Sequence, residues 1–366
     1  MNRSLLTLLL ALLPYRLAAE PFKPKDDAFV VDRLPASLIG LRKARSQPKD
    51  AADAALLARE YLRIAQRTSD PAFVRYAEQV LAPWPAENNA ELRFLTAVIQ
   101  QHKHEFEAAL SEIEAVLRLA PGHEGASLLK ASILATLGKY TEAKKVFASD
   151  LRLISSLHGL TIFLNLSSLT GALGKSEEVL QRSVTERAAA AEQSFAWSVL
   201  AEMAVRRGDF ATGEQRFQKA LQLEPDNSYT LAAYCDLLLS AQRPREVLDL
   251  IESTVSSEAL LTRRYIAERK APEGFVAQLK ATGHLRELAL LQLETNHSPD
   301  LALDSALKNW EKQKEPIDAI LVLKTALKSA QLAEAGPVID WINAAQLEDQ
   351  RLNQLAKSVH QNSVRK

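Results

Sequence analysis

The stretch SFAWSVLAEMAVRRGDFATGEQRFQKALQLEPDN, residues Ser194 to Asn227, decides the architecture of this chain. Its apolar residues recur at helical spacing in two blocks, with Gly208 between them. A glycine is tolerated where a chain reverses, and a proline cannot continue a helix interior, so Gly208 and Pro225 mark ends of two short helices. The stretch therefore predicts an antiparallel helix pair. Neither helix is long enough to persist alone, so the pair must bury its apolar faces against similar neighbours.

The same stretch resembles the tetratricopeptide repeat (TPR), a family whose signature places bulky, small, glycine, aromatic and proline residues at fixed offsets. The matching residues are Trp197, Leu200, Ala201, Gly208, Phe210, Phe217, Ala220 and Pro225. One position departs, because Gly213 stands where the second helix of the family has Ala, and we expect it to loosen that helix locally. The resemblance implies an all-α, right-handed α-solenoid of antiparallel helix pairs, a TPR-like superhelix, whose function is to bind another protein.

Similar units flank this stretch at intervals of roughly 34 residues, which is the period of the family. We place a degenerate first unit at 49–85 and further units at 90–121, 124–156, 160–187 and 228–257. Together these units predict a TPR solenoid over residues 49–257.

Beyond residue 257 the repeat signature is lost, and a charged run, Arg263–Lys270, is followed by a break at Ala271-Pro272. Helical spacing then predicts helices at Leu285–Thr295, Pro299–Gln313, Pro316–Ala330, Glu334–Ala344 and Leu347–His360. These helices pair like repeats, so we interpret residues 258–366 as divergent helical repeats with a polar C-terminal cap. A separate small helical bundle is the alternative.

The N-terminus has the features of a secretory signal peptide. Arg3 precedes an apolar run, Leu5–Leu13, and Leu17-Ala18-Ala19 offers a cleavage site before Glu20. The run is shorter than the roughly 20 residues needed to cross a bilayer, so we expect no transmembrane segment in the mature chain. Residues 1–19 are therefore predicted to be a signal peptide, and the protein is expected to be exported as a soluble chain, to a bacterial periplasm.

Residues 20–48 contain Pro21, Pro24 and Pro35, which disfavour helix, and a short apolar piece, Phe29-Val30-Val31. Because the exposed ends of repeat arrays need polar covers, we interpret this segment as an extended lead that caps the first repeat. The alternative is that it lies in the groove of its own chain until a partner displaces it.

Composition argues against several classes of function. The 366-residue chain has 45 basic and 45 acidic residues, so no basic excess attracts nucleic acid or anionic lipid. The single cysteine, Cys235, excludes an internal disulfide framework and falls at a small, buried slot of a first helix.

Two short motifs suggest chemistry, but both fit repeat turns better. Gly171–Ser176 has the Gly-Lys-Ser of a phosphate-binding loop, yet Leu169 stands where that loop needs a glycine, and a helix precedes it. His102 and His104 suggest a metal, but no other His or Cys is positioned to complete a ligand set. No serine-nucleophile elbow, zinc-protease motif or repeated cysteine pair is present. We therefore expect no cofactor, no metal site and no enzymatic activity.

The resemblance implies that a partner lies along the concave face, against fixed slots of the first helices. Those slots are Phe94, Val98, Gln101, Leu128, Ser132, Thr136, Leu164, Ser168, Ser198, Glu202, Arg206, Tyr229 and Asp236. They are apolar in the early units and polar in the later ones, although individual slots could equally pack between helices. We predict a non-enzymatic protein-interaction scaffold of the cell envelope, which binds an apolar segment of a protein or peptide around Phe94 and Leu128.

Two other functions stay open at this point. One is a cell-wall or glycan-active enzyme with its site in the C-terminal half, where Glu268, Glu273 and Glu287 are paired by no identifiable motif. The other is a structural protein whose solenoids stack end to end, since the sequence leaves the oligomeric state open.

Overall fold

The computed structural model describes residues 48–251, 257–295 and 298–364, and every regular element in these ranges is a helix. The predicted signal peptide and nearly all of the predicted lead segment lie outside the described residues. Within these ranges, no helix is long and apolar enough to cross a membrane. The α-helices are α1 (Ala51–Thr68), α2 (Pro71–Leu81), α3 (Ala90–His102), α4 (Phe106–Leu119), α5 (Glu124–Thr136), α6 (Tyr140–Ser149), α7 (Leu157–Leu169), α8 (Leu173–Ser183), α9 (Ala190–Arg206), α10 (Phe210–Leu223), α11 (Ser228–Ser240), α12 (Pro244–Leu250), α13 (Glu258–Glu268), α14 (Glu273–Thr282), α15 (Leu285–Glu294), α16 (Pro299–Lys312), α17 (Pro316–Ser329), α18 (Gly336–Ala345) and α19 (Gln350–Val364).

The quoted stretch forms α9 and α10, joined by a tight turn, as predicted. Gly208 in this turn has a φ of 86°, in the left-handed region that favours glycine. Asp209 caps α10, because its carboxylate accepts a hydrogen bond of 3.1 Å from the backbone N–H of Thr212. The signature residues Leu200 and Phe217 are buried between the two helices and their neighbours. Local sequence therefore sets both the turn and the face that each helix buries.

Gly213 does not loosen α10, which runs unbroken from Phe210 to Leu223. A Cβ atom at this position would lie 2.8 Å from Cγ2 of Val205 and 3.3 Å from the carbonyl oxygen of Ala201. The expectation of local loosening is wrong, because the glycine instead allows α9 and α10 to approach more closely than any larger residue would permit.

The odd-numbered helices stack on one another along the described chain, from α1 on α3 to α17 on α19. Each even-numbered helix except α14 packs closely against the odd-numbered helix that precedes it, and α14 packs mainly against α15. The stacking does not stop where the repeat signature ends, since α13 packs on α11, α15 on α13 and α17 on α15. The protein is an all-α solenoid of helix pairs, in which each pair is stabilised mainly by its neighbours.

The helices predicted in the C-terminal region are present as α15 to α19, with ends shifted by a few residues. Helix α13 is not predicted, because the charged run Arg263–Lys270 lacks an apolar stripe. In the structure Arg263 is buried and paired with acids on the two neighbouring odd-numbered helices. Ion pairs with distant parts of the chain therefore stabilise α13, and the local sequence pattern does not reveal them.

Helix pairs about five places apart in the chain are also in contact. Ser228, the first residue of α11, donates a hydrogen bond of 2.8 Å to the carbonyl oxygen of the last residue of α1. The backbone N–H of Lys314, just after α16, donates to the carbonyl oxygen of Thr136 at 2.7 Å. The backbone N–H of Glu348, just after α18, donates to the carbonyl oxygen of Leu169 at 3.0 Å. Successive turns of the solenoid therefore touch along a seam.

Apolar contacts reinforce this seam. The ring of Trp341 on α18 lies 5.9 Å from the ring of Tyr140 and 4.9 Å from that of Trp310. One hydrophobic core includes Leu128 and Phe147 together with residues of α15 to α19. Because this core is shared, removal of the C-terminal helices would expose apolar area on α5, α6 and α7 to water.

Candidate interaction surface

Helix α3 carries the most accessible set of predicted apolar slots. Phe94, Val98 and Gln101 follow a spacing of four and three residues, so they share one face of the helix. All three side chains are half-buried. The Phe94 ring lies 4.7 Å from the ring of His123 and covers Gly125 at the start of α5. We call the side of the odd-numbered helices that bears the predicted slots the inner face, and on α3 it is partly exposed and mainly apolar.

The predicted slots on α5 divide between the core and the inner face. Leu128 is only 7% exposed and belongs to the core shared with the C-terminal helices. Ser132 is half-buried, and its hydroxyl donates a hydrogen bond of 3.0 Å to the carbonyl oxygen of Leu128. Thr136 is also half-buried, and its carbonyl oxygen accepts the seam hydrogen bond from Lys314. Leu128 therefore supports this surface from inside.

Most of the predicted slots on α7 and α9 are buried between helices. Leu164 lies in the core, and the Ser168 hydroxyl accepts a hydrogen bond of 2.6 Å from Nη2 of Arg206. The hydroxyls of Ser198 and Thr230 share a hydrogen bond of 2.7 Å between α9 and α11. Arg206 is 4% exposed, and its Nη1 has no hydrogen-bond partner among the described residues. These polar groups therefore connect neighbouring helices.

Glu202 and Tyr229 meet where α9 packs on α11. The Tyr229 hydroxyl donates a hydrogen bond to the Glu202 carboxylate. Tyr229 is 51% exposed and Glu202 is half-buried, so both are accessible at the inner face. Burial raises the pKa of Glu202, and the Tyr229 hydrogen bond offsets only part of that rise.

The later odd-numbered helices carry buried ion pairs, and we call Asp236, Arg263, Glu287, Arg286 and Asp318 the charge ladder. Arg263 on α13 donates to both carboxylate oxygens of Asp236 on α11, at 2.9 and 2.8 Å, and also pairs with Glu287 on α15. Arg286 on α15 donates to both carboxylate oxygens of Asp318 on α17, at 2.6 and 2.8 Å. Because two-pronged contacts of this kind are geometrically demanding, the ladder fixes how successive odd-numbered helices stack. Asp236, one of the predicted partner-binding slots, is therefore paired within the protein.

The titration behaviour of the charge ladder reflects its burial. Burial raises the pKa of Glu287, and Arg263 opposes this rise. Burial by itself would lower the pKa of Arg263, but Asp236 and Glu287 outweigh it and raise that pKa overall. Each charge therefore depends on its partners to offset the cost of leaving water.

The sequence reasoning missed Arg263 and Arg286. A pattern was available, because Asp236, Arg263 and Glu287 are opposite charges on three consecutive odd-numbered helices. However, because the sequence reasoning did not predict α13, it could not place Arg263 on a helix between Asp236 and Glu287. The contact of Arg263 with both acids is a property of stacked helices and not of one helix.

The histidines considered as metal ligands lie at a helix end and in a turn, and the single cysteine lies in the core. Within the described ranges, no group of three or more His, Cys, Asp or Glu side chains could hold a metal ion. His102 ends α3, and His104 follows in the turn with a φ of 58°. Cys235 is fully buried, and burial raises the pKa of its thiol to about 12. The thiol is therefore protonated at neutral pH and packs as a small apolar side chain.

The three carboxylates considered for catalysis lie in different surroundings. Glu268 is exposed and pairs with Arg264 on the same helix at 2.9 Å. Glu273 is exposed in the first turn of α14. Glu287 belongs to the charge ladder. Two of the three are therefore solvated surface charges, and the third is held by Arg263.

No protein-family model and no curated protein sequence matches this chain. Among solved structures, a MamA RS-1 ArsTM double mutant is 16% identical, with 60% of this chain and 97% of that chain covered and a TM-score of 0.23. The P58(IPK) TPR domain is 14% identical, with coverage of 86% and 99% and a TM-score of 0.23. Naa15/Naa10 bound to HypK-THB is 13% identical, with coverage of 89% and 62% and a TM-score of 0.27. Similarities at this level carry no argument about function.

Proposed function

We propose that the protein is a non-enzymatic interaction scaffold of the cell envelope, which binds a segment of another protein along the inner face of its odd-numbered helices. The observation that carries this proposal is the partly exposed apolar pair Phe94 and Val98 on α3, with the polar Gln101 beside them on the same face. In the later units, the charges of the inner face are paired with one another in the charge ladder. The early units therefore offer the apolar area that an incoming segment can bury.

The neighbouring helix extends this face and gives it a rigid base. Ser132 and Thr136 are half-buried on α5, and Leu128 beneath them is fixed in the shared core. Burying one additional apolar side chain contributes about 1.5–3 kcal/mol, so a partner needs several anchors to reach micromolar affinity, which corresponds to about 8 kcal/mol. An extended or helical segment with apolar residues on one side fits this requirement.

The envelope assignment rests on the N-terminal sequence. Arg3, the apolar run Leu5–Leu13 and the small residues Ala18-Ala19 follow the order of a cleaved signal peptide. Mass spectrometry of the protein from fractionated bacterial cells tests it directly. We expect a periplasmic chain that begins at Glu20, and a cytoplasmic chain that retains Arg3 would contradict the assignment.

The binding face is tested by placing charge on α3. Val98→Glu combined with Gln101→Glu adds two charges to half-buried positions, without entering the core. We expect recovery of the partner from envelope extracts to fall at least tenfold, because an apolar segment cannot bury these carboxylates. Circular dichroism should show unchanged helix content. Leu128→Glu is not a suitable variant, because a charge at this buried position would unfold the shared core.

Leu119→Glu supplies a matched control, because Leu119 is exposed on an even-numbered helix away from the inner face. It should leave recovery of the partner unchanged. Equal recovery by the α3 variant and by the wild-type chain would mean that the partner binds another surface. A third outcome is that the extracts yield only copies of this chain and that its size in solution increases with concentration. The protein would then be a structural oligomer and not a scaffold for a different partner.

A further inference from the structure

Tyr229 is an exposed aromatic side chain in an otherwise charged part of the inner face. It is the second residue of α11 and is 51% exposed. Burial of its hydroxyl and the charges of Glu202 and Glu315 raise the pKa of Tyr229, and Arg286 opposes this effect. Glu315 and Arg286 lie at α17 and on α15, several helices further along the chain. The exposed Tyr229 side chain therefore lies near charges from α9, from α15 and from the start of α17.

Glu202 is an acid of this region that forms no ion pair within the described residues. Within the described residues, its carboxylate accepts a hydrogen bond from Tyr229 and forms no ion pair. The other inner-face acids are satisfied differently, because Asp236 and Glu287 pair with Arg263, and Asp318 pairs with Arg286. Burial raises the pKa of Glu202, and the Tyr229 hydrogen bond and the charges of Arg206 and Arg351 oppose this rise without cancelling it.

Arg206 lies one helical turn from Glu202 but does not neutralise it by contact. Its Nη2 donates to the Ser168 hydroxyl at 2.6 Å and to Oδ1 of Asn165 at 3.4 Å, on the opposite side of α9 from α11. Its Nη1 has no hydrogen-bond partner among the described residues. Arg206 is held by α7, and Arg351 pairs with Asp349. Both charges offset part of the rise in the pKa of Glu202, but within the described residues neither arginine forms an ion pair with its carboxylate.

We propose that Glu202 and Tyr229 bind a lysine or arginine side chain of the partner segment that lies along the inner face. This inference rests on the proposed scaffold function and names one feature of the partner. The carboxylate supplies the counter-charge, and the exposed ring supplies an aromatic face of the kind that attracts ammonium and guanidinium groups.

A short fluorescein-labelled peptide of alternating lysine and alanine tests this site in the full chain by fluorescence anisotropy. The matched probe has glutamate in place of lysine. We expect the lysine peptide to bind and the glutamate peptide not to bind. Glu202→Gln should weaken binding about tenfold, since it removes the charge but keeps the shape of the side chain. Tyr229→Ala should weaken it severalfold, and Glu107→Gln, which removes an exposed charge from α4, should have no effect.

Equal weakening by Glu202→Gln and Glu107→Gln would reduce the binding to general electrostatic attraction and overturn the proposal. Binding of both peptides, or of neither, would overturn it as well. Failure of the scaffold function is distinguishable, because that function is read from partner recovery with the Val98 and Gln101 variant. Suppose that the α3 variant lowers recovery of the partner but Glu202→Gln changes neither recovery nor peptide binding. The cation site would then be contradicted, and the proposed binding face on α3 would be retained.

Discussion

The inner faces of α3 and of α11 to α17 belong to the same stack of odd-numbered helices but have opposite chemistry. On α3, Phe94 and Val98 are half-buried apolar side chains. On the later helices, Asp236 and Arg263 belong to ion pairs that cross from one odd-numbered helix to the next. The difference teaches that a repeat slot defines a position, whereas its neighbours decide whether the side chain is available to a partner.

The physical reason lies in what each kind of side chain requires. A half-exposed apolar residue needs no partner inside the protein, and a contiguous group of them marks a site for binding. A buried charge has to be paired where it lies, because leaving water costs several kcal/mol per ion. The later inner face is therefore devoted largely to internal structure, and Glu202 with Tyr229 stands at the boundary between the two regions.

The largest effect on this comparison is expected from Arg263→Met. The substitution leaves Asp236 and Glu287 close together without a cation, in a region where Arg263 itself is 4% exposed. We expect a loss of about 3–5 kcal/mol in the free energy of unfolding. Urea unfolding followed by circular dichroism at neutral pH measures this loss.

A triple variant separates charge from packing in the same experiment. Arg263→Met combined with Asp236→Asn and Glu287→Gln leaves no uncompensated charge, so most of the lost stability should return. A triple variant that is no more stable than Arg263→Met would show that the arginine stabilises the stack through its apolar stem and not through its charge.

Two serine variants should show the next largest difference in the free energy of unfolding. Ser198→Ala removes a buried hydrogen bond between α9 and α11 and should cost about 1 kcal/mol in the free energy of unfolding. Ser132→Ala removes a hydrogen bond within α5 at a half-buried position and should cost much less. Thermal unfolding of the two variants side by side checks the order, and equal costs would contradict the contrast between late and early inner faces.

Glu202→Gln should be unusual in not destabilising the protein. Because burial raises the pKa of Glu202, its charged form is disfavoured in the folded state, and folding stability falls as pH rises through that raised pKa. At neutral pH the free energy of unfolding of the variant should therefore match or exceed that of the wild-type chain. Below the ordinary glutamate pKa of about 4.3, where both states of the wild-type chain are protonated, the difference should disappear. A lower melting temperature for the variant at neutral pH would mean that Glu202 is satisfied within the protein.

Val98→Ala is expected to have only a small effect on stability. Because Val98 is half-buried, its loss should change the free energy of unfolding by only about 0.5 kcal/mol. Recovery of the partner should nevertheless decrease severalfold, and parallel measurements of unfolding and recovery separate the two. A stability loss as large as that of a core residue would place Val98 in the packing and not in the binding face.

Much of the fold follows from local sequence. Gly208 and Asp209 specify the turn and the cap between α9 and α10, and the apolar spacing gives the C-terminal helices to within a few residues. Helix α13 is not predicted from the sequence, because Arg263 has the character of a surface residue. Its burial becomes evident only when α11 and α15 lie beside it. The effect of Gly213 is also misjudged, because a single helix does not show how closely Val205 approaches.

By itself, then, the sequence determined most of the helix pairs and their turns, because these depend on periodicity and on residues adjacent in the chain. Only the tertiary structure decided which slots are buried, which charges are paired and where turns of the solenoid meet. Lys314 contacts Thr136, and Trp341 contacts Tyr140, across long stretches of chain. No local pattern records such contacts, since they arise only when many helix pairs have stacked and returned the chain to its own surface.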